Sequence, residues 1–410
     1  MFTTTQLRPA GSRRQALDAF ADLLFGKLPR ADQREWANTY LRGLLSTPGK
    51  KSMRRLAESV SSSPTAWYSL QQFISGSSWD WEQPRGELAR WVDQRASVRA
   101  WTVATAAVTK RGDQSVGVHR RFVPSAGRMV NCQLGTALFL SCPGANFPTD
   151  WKLHLPTEWA ADRRTQMAAA RIPQGVTPQP LWQDALDLVD TAAARSAGAV
   201  VPVVADLSDL DDVCRAVARL EARGLSFVVA VPPGMQVLGE AGSPGAPQPH
   251  RRSGEVPPNT AGGLLELQSG RPYRYTAAIM GASGGFRQVP VLSAYFRLTR
   301  RPQGPPAAQQ TYRLFSQPDS ALQGAVWMTN LTHRRLDELI ELALLHTSAM
   351  ATVTCLDERF ALLDFAGRSF PGWHHHMTLA SAAYAFARLS HPGELPPPPA
   401  AEKRADAMTA

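Results

Sequence analysis

Gly367-Arg368-Ser369-Phe370-Pro371-Gly372-Trp373-His374-His375-His376-Met377-Thr378-Leu379 is the stretch from which the rest of the chain can be read. Three consecutive histidines behind a Gly-Trp pair are hard to explain by chance. Adjacent residues of a regular helix point about 100° apart, so three in a row cannot all ligate one metal. Packing and hydrogen bonding against a sheet edge, together with Trp373, is the simpler reading. One of them, His374, stays open as an acid or base that reaches a site.

Working outward, apolar spacing at helical intervals predicts a last helix over 379–389. Before the histidine run it predicts one helix over 334–345 and another reaching Asp364. Residues 14–95 read as a helical domain of five short helices broken by Ser, Pro and Gly. Residues 98–145 change to three strands, at 98–103, 115–119 and 132–140, joined by turns at Gly112 and Gly127. A helix over 182–197, a strand over 199–205, a helix over 210–224 and a strand over 226–231 complete a β-α-β unit. Three successive strands followed by alternating helix and strand is the order of an α/β, RNase H-like mixed sheet with flanking helices. Residues 235–270 read as a long exposed loop, and four further β-like runs make 235–331 a β-rich insertion. The expected division is a disordered 1–13, the helical 14–95, core at 98–234, insertion at 235–331, core again at 332–390, and a disordered Pro/Ala-rich tail at 391–410.

Lys and Arg number 44 against 34 Asp and Glu, a formal net charge of +10. Such a surface favours polyanions or anionic small molecules, although a GC-rich genome writes arginine freely. Lys50, Lys51, Arg54, Arg55 and Arg42, mixed with Tyr40, Trp67 and Tyr68, are placed to grip phosphates or to form a solvated helical face. Cys132, Cys142, Cys214 and Cys355 form no CxxC pair, which argues against a disulfide framework or a zinc site. The polar N-terminus lacks the core of a signal peptide, and no apolar run looks long enough to cross a bilayer. The expectation is a cytoplasmic protein without a membrane partner.

Several blocks then line up in order. Tyr40-Leu-Arg-Gly-Leu-Leu-Ser46, Lys51-Ser-Met53, Ser115-Val-Gly-Val118, Asn131-Cys-Gln133, Leu155-Pro-x-x-Trp159, Val203-Val-Ala-Asp206 and Arg368–Leu379 make the chain resemble the DDE-type insertion-sequence transposases with a C-terminal GWHHH signature. Members of that family cut DNA with two divalent metals held by Asp, Asp and Glu. The resemblance places Ala104 at the first Asp, keeps the second as Asp206, and puts Met350 at the Glu. Hard cations need several carboxylate oxygens, so one acid does not hold two metals. The resemblance therefore implies a degenerate triad, no metal, no cofactor and no working transposase.

The substitutions share an apolar direction: Ala104, Ala106, Ala107, Ala349, Met350, Ala351 and Val353. They suggest a rebuilt pocket walled by Ala104, Thr105 and Met350, unless the site simply drifts without duty. Asp206, at a strand end, is the expected catalytic base, its pKa raised by burial beside alanines; capping the following helix is its other reading. Lys110, Arg111, His119, Arg120 and Arg121 flank the first hairpin as an anion-binding or merely solvated group, with Arg368, His346 and His374 as further substrate contacts. Three functions compete. One is a metal-independent biosynthetic enzyme that removes a proton from a small anionic metabolite with loss of a phosphate- or sulfate-type group. The second is a catalytically inactive DNA-binding regulator or transposition inhibitor. The third is a scaffold acting as a homo-oligomer or with a partner protein.

Overall fold

The computed structural model describes residues 10–123, 127–157, 159, 168–196, 200–210, 212–239, 259–269, 275–280, 285–298, 310–317, 324–365 and 367–390. The expected disorder at 391–410 and the middle of the expected loop at 235–270 lie outside them, as do residues 1–9 of the segment 1–13 expected to be disordered; its residues 10–13 instead begin the first helix.

Five helices open the chain: α1 (Ala10–Phe25), α2 (Ala31–Ser46), α3 (Met53–Val60), α4 (Ala66–Ser75) and α5 (Glu82–Asp93). Each turns an apolar stripe inward, with Leu24, Leu41, Leu44, Leu56, Leu70 and Ile74 buried. Four strands follow: β1 (Ala100–Thr109), β2 (His119–Val123), β3 (Arg128–Cys142) and β4 (Ala145–Leu153). Then come α6 (Leu181–Arg195), β5 (Val203–Asp206), α7 (Val213–Glu221), β6 (Phe227–Val231), β7 (Val237–Gly239) and α8 (Ala261–Ser269). β8 (Tyr275–Met280), β9 (Phe286–Leu298), β10 (Tyr312–Ser316) and β11 (Val326–Thr329) lead to α9 (Leu336–Phe360) and α10 (Phe370–Ser390).

β3 is antiparallel to β1 on one side and carries β2 and then β4 on the other. β5 pairs in parallel with β1, and β6 in parallel with β5. That order, two antiparallel neighbours followed by two parallel strands, is the RNase H-like mixed sheet. β11 then adds antiparallel to β6, and β10, β9 and β7 continue outward in the same sheet. α6 covers one face through Asp184 and Asp187, which meet His154 and Lys152 of the β4 end. α9 and α10 cover the other, with Trp373 of α10 against Gly135 of β3.

Several expectations change. Residues 115–118 are a turn and not a strand, and His119 opens β2: Gly117 sits at φ +69°, where an added Cβ would come within 2.9 Å of the His154 carbonyl oxygen. The early strands number four, because β4 hides its burial behind Asp150 and Lys152. Inside the supposed loop at 235–270, β7 and α8 form, with Val237, Ala261, Leu264 and Leu265 buried. The two helices expected before the histidine run are one helix, α9. Its weak helix formers bond back within it, Thr352 Oγ1 to the Ser348 oxygen at 3.0 Å, and so do not break it. By length and composition α9 would also cross a bilayer, which the sequence reading denied; here it packs on the sheet through Leu339, Ile340 and Ala343, all fully buried. Finally, α10 begins at Phe370, with Pro371 tolerated in its first turn and the Gly372 amide bonded to Ser369 Oγ at 3.2 Å.

Candidate functional site

The motif blocks of the sequence interlock. The Val116 amide donates to the Arg368 oxygen at 3.2 Å, Gln133 Nε2 to the Val116 oxygen at 2.8 Å, and Trp159 Nε1 to the Val118 oxygen at 3.1 Å. Four blocks spread over the chain thus hold one loop.

The histidine run lies inside α10, which is buried from Phe370 to Phe386 between the N-terminal helices and the sheet. Each ring faces a different neighbour. His374 stacks on Trp81 with centroids 4.5 Å apart, and its Nδ1 accepts from Arg85 Nη2 at 3.1 Å. His375 stacks on Trp79 at 3.9 Å and sets its two nitrogens against the Ile74 and Trp79 oxygens, both at 2.9 Å. His376 Nδ1 accepts from the Tyr40 hydroxyl at 3.0 Å, and its Nε2 donates to the Ala361 oxygen at 3.0 Å. Burial pushes all three imidazoles down, His376 to about 4 against the help of its carbonyls. They are neutral packing groups at neutral pH. His374 does not line the cavity described next; Trp81 and Arg85 engage it instead.

That cavity, about 150 Å³, opens at the sheet end where β1, β3, β5, α6 and α9 converge. Ala104 and Thr105 from β1, Asp206 from β5, Arg121 from β2 and His346 and Met350 from α9 all line it. The register sets the first pair. Val103 pairs with Ala205 on the parallel neighbour, so one step on Ala104 and Asp206 stand side by side. Met350 faces them one helical turn after His346.

Asp206 is exposed, not buried beside the alanines as expected. Its Oδ1 accepts from the Ser208 amide at 2.9 Å and from the Ser208 hydroxyl at 2.6 Å, an Asx-type turn. The helix that follows is capped instead by Asp212, whose Oδ1 accepts from the Arg215 amide at 3.1 Å. His346 is half-buried and meets Trp327 at 6.3 Å. Burial pushes its imidazole below 6.5, and the Asp206 charge pulls the other way.

The remaining expected contacts sit elsewhere. Lys110 is half-buried, donates to the Phe365 oxygen and lies 5.6 Å from that ring's centre; burial lowers it to about 8. His119 Nδ1 lies 3.0 Å from the Gly117 oxygen, and its ring meets His154 at 5.8 Å. Arg111, Arg120 and Arg368 are exposed and do not line the cavity. Of the N-terminal cluster, Tyr40 and Lys51 are buried, and Arg55 Nη2 is spent on the Pro48 oxygen at 2.9 Å. Sequence reasoning missed Trp182, Thr136 and Asp209 in the cavity wall. Asp209 was the findable one, a second acid three residues past the strand-end acid.

The acids that line the cavity are Asp206 and Asp209. Asp206 has an alanine beside it and a methionine across from it. Among the described residues no group of three or more His, Cys, Asp or Glu side chains is placed to hold a metal ion.

No curated protein matches the chain. A solved structure of the piggyBac transposase synaptic complex with hairpin DNA is similar at 12% identity and a TM-score of 0.35, covering 95% of this chain and 68% of that one. The family model described as DDE superfamily endonuclease matches residues 23–262, more than half of the chain. By that match, and with the ordered motif blocks locked around one RNase H-like sheet, the chain belongs to the DDE superfamily, as a relative of DDE-type transposases.

Proposed function

We propose that this protein no longer cuts or joins DNA and that its emptied centre takes a small anionic molecule for metal-independent proton transfer. The observation that carries the reading is Ala104 standing beside Asp206 with Met350 facing both. Of the three carboxylates the resemblance implies, Asp206 is left, and around it alanine, leucine, valine, Trp182 and Met350 mix with Thr105, Thr136, Arg121, Asp209 and His346.

In this reading Arg121 holds the anionic group and His346 is the base. The base differs from the sequence expectation because Asp206 is exposed and engaged by Ser208. A neutral imidazole whose pKa lies below 6.5 accepts a proton at neutral pH, and the nearby Asp206 charge stabilises the imidazolium that forms. The proton leaves a substrate carbon for His346, its electron pair becomes a π bond, and a phosphate- or sulfate-type group departs with the broken C–O pair toward Arg121. The direct test is binding of inorganic phosphate and sulfate, together with a DNA-nicking assay in manganese. Anion binding lost in Arg121→Ala, with no nicking, supports the reading; chelator-sensitive nicking sinks it.

A second reading, a catalytically inactive DNA-binding regulator, draws on Arg54 lying 5.9 Å from the exposed Trp67 ring and on exposed Arg111 and Arg120. Tight duplex binding that weakens steeply with salt would favour it.

A further inference from the structure

A second groove, about 300 Å³, lies between the start of α2 and the length of α4, away from the sheet. Its size is at the lower end of small-molecule sites. Trp36 lines it from α2, and Tyr68 and Phe73 from α4. Gln33 lines it too and is only 6% exposed. Its Nε2 donates to Ser77 Oγ at 2.8 Å, while its Oε1 is buried with no partner among the described residues. An orphaned buried acceptor is costly, and a ligand N–H would satisfy it.

The rim adds an ion pair, since Arg30 and Asp32 both line the groove. Arg30 stands at the mouth, bonded to Asp32 through Nε at 2.9 Å and Nη2 at 2.6 Å, with its side chain 70% exposed. Tyr68 is 55% exposed, and next to it Trp67, 39% exposed, carries Arg54 over its ring. Aromatic faces, an amide acceptor, a hydroxyl and an arginine at the entrance suit a flat heterocycle that offers N–H on its edge and phosphate on its tail. Cationic rims around stacking aromatics are how unpaired bases are held.

We propose that this groove binds a nucleobase, with Gln33 accepting from its edge, Tyr68 stacking on its face and Arg30 facing its phosphate. The base comes either from a free nucleotide or from an unpaired position in a nucleic acid. The site is separate from the sheet-end cavity, and its fate is independent of that cavity's chemistry.

The test compares the full-length protein with Tyr68→Ala and Gln33→Leu, each checked for an unchanged helical circular dichroism signal. One arm titrates the four nucleoside 5′-monophosphates. The other compares a duplex carrying one unpaired nucleotide with the same duplex carrying an abasic unit there. Saturable nucleotide binding, or about tenfold tighter binding of the base-bearing bulge, is expected. Both variants should lose it. The first result alone assigns a free nucleotide, and the second an extruded base. Equal binding of base-bearing and abasic probes with no nucleotide saturation overturns the proposal. So does a preference that survives in Tyr68→Ala.

Discussion

Ala104 and Asp206 are neighbours across two parallel strands, one residue beyond the Val103–Ala205 pair. The cavity beside them already carries Asp206 and Asp209. Ala104→Asp combined with Met350→Glu should place two further acids beside Asp206. Manganese titration should show saturable binding in the double variant, at least about tenfold tighter than in the natural chain, because hard cations follow carboxylate count. Equal affinity in both would mean that the two positions do not face Asp206 as placed.

His346 and Asp206 act on each other through space. The Asp206 charge raises the His346 imidazole while burial lowers it. Asp206→Asn should then move the His346 titration midpoint further below 6.5, as read by the histidine ring resonances. An upward shift would contradict the arrangement. Since the folded pKa is depressed, this group's stabilising share is complete above 6.5 and shrinks as the pH falls below it.

His376 gives a sharper acid dependence. Its folded value is about 4 against an unfolded 6.5. Between those values the unfolded chain binds more protons, so stability rises with pH across that window and is lost on acidification. Tyr40→Phe leaves His376 Nδ1 buried without its donor and should cost about 1–3 kcal/mol in denaturant unfolding near neutral pH. A change within error would show that the bond adds nothing.

Arg85 is 1% exposed and ties three elements together. Its Nε donates to Thr378 Oγ1 at 2.8 Å, and its Nη1 to Asp150 Oδ1 at 2.9 Å and the Trp151 oxygen at 2.7 Å. Arg85→Met strips Asp150 of its buried counter-ion and should destabilise by about 3–5 kcal/mol. Arg195, 2.9 Å from Asp150 Oδ2, moderates that loss, so Arg195→Ala added to Arg85→Met should cost more than Arg195→Ala alone. Thermal melts of the three variants check the order.

Gly135 allows α10 to approach the sheet. An added Cβ would come within 2.7 Å of the Trp373 ring. Gly135→Ala should destabilise by about 1–3 kcal/mol through overpacking, and Gly112→Ala, in open space, should not. Equal melting of the two would remove the close-contact argument.

Much of the fold was legible because its helices and central strands carry clean apolar spacing. Val203 to Ala205 and Phe227 to Val231, all buried, read as interior strands for that reason. β4 was not legible, since its interior holds Pro148 and the charged Asp150 and Lys152, which are matched by Arg85, Arg195, Asp184 and Asp187 from elsewhere. The cavity was half legible. Ordered motifs located Ala104, Asp206 and Met350, but no local pattern says that Trp182 folds over them or that Lys110 turns away to Phe365. Exposure of Asp206 was equally hidden, because it depends on the turn through Ser208.

β11 lies antiparallel along β6 from Val326–Val231 to Thr329–Val228. A deletion that trims the chain to the minimal sheet would strip the hydrogen-bonding margin of β6 bare, beside Trp327's vacated place. Such a raw margin invites neighbouring molecules to zip on, so the shortened protein would be expected to clump rather than simplify. The extra strands thus serve as a selvedge that keeps the woven sheet from unravelling into its neighbours.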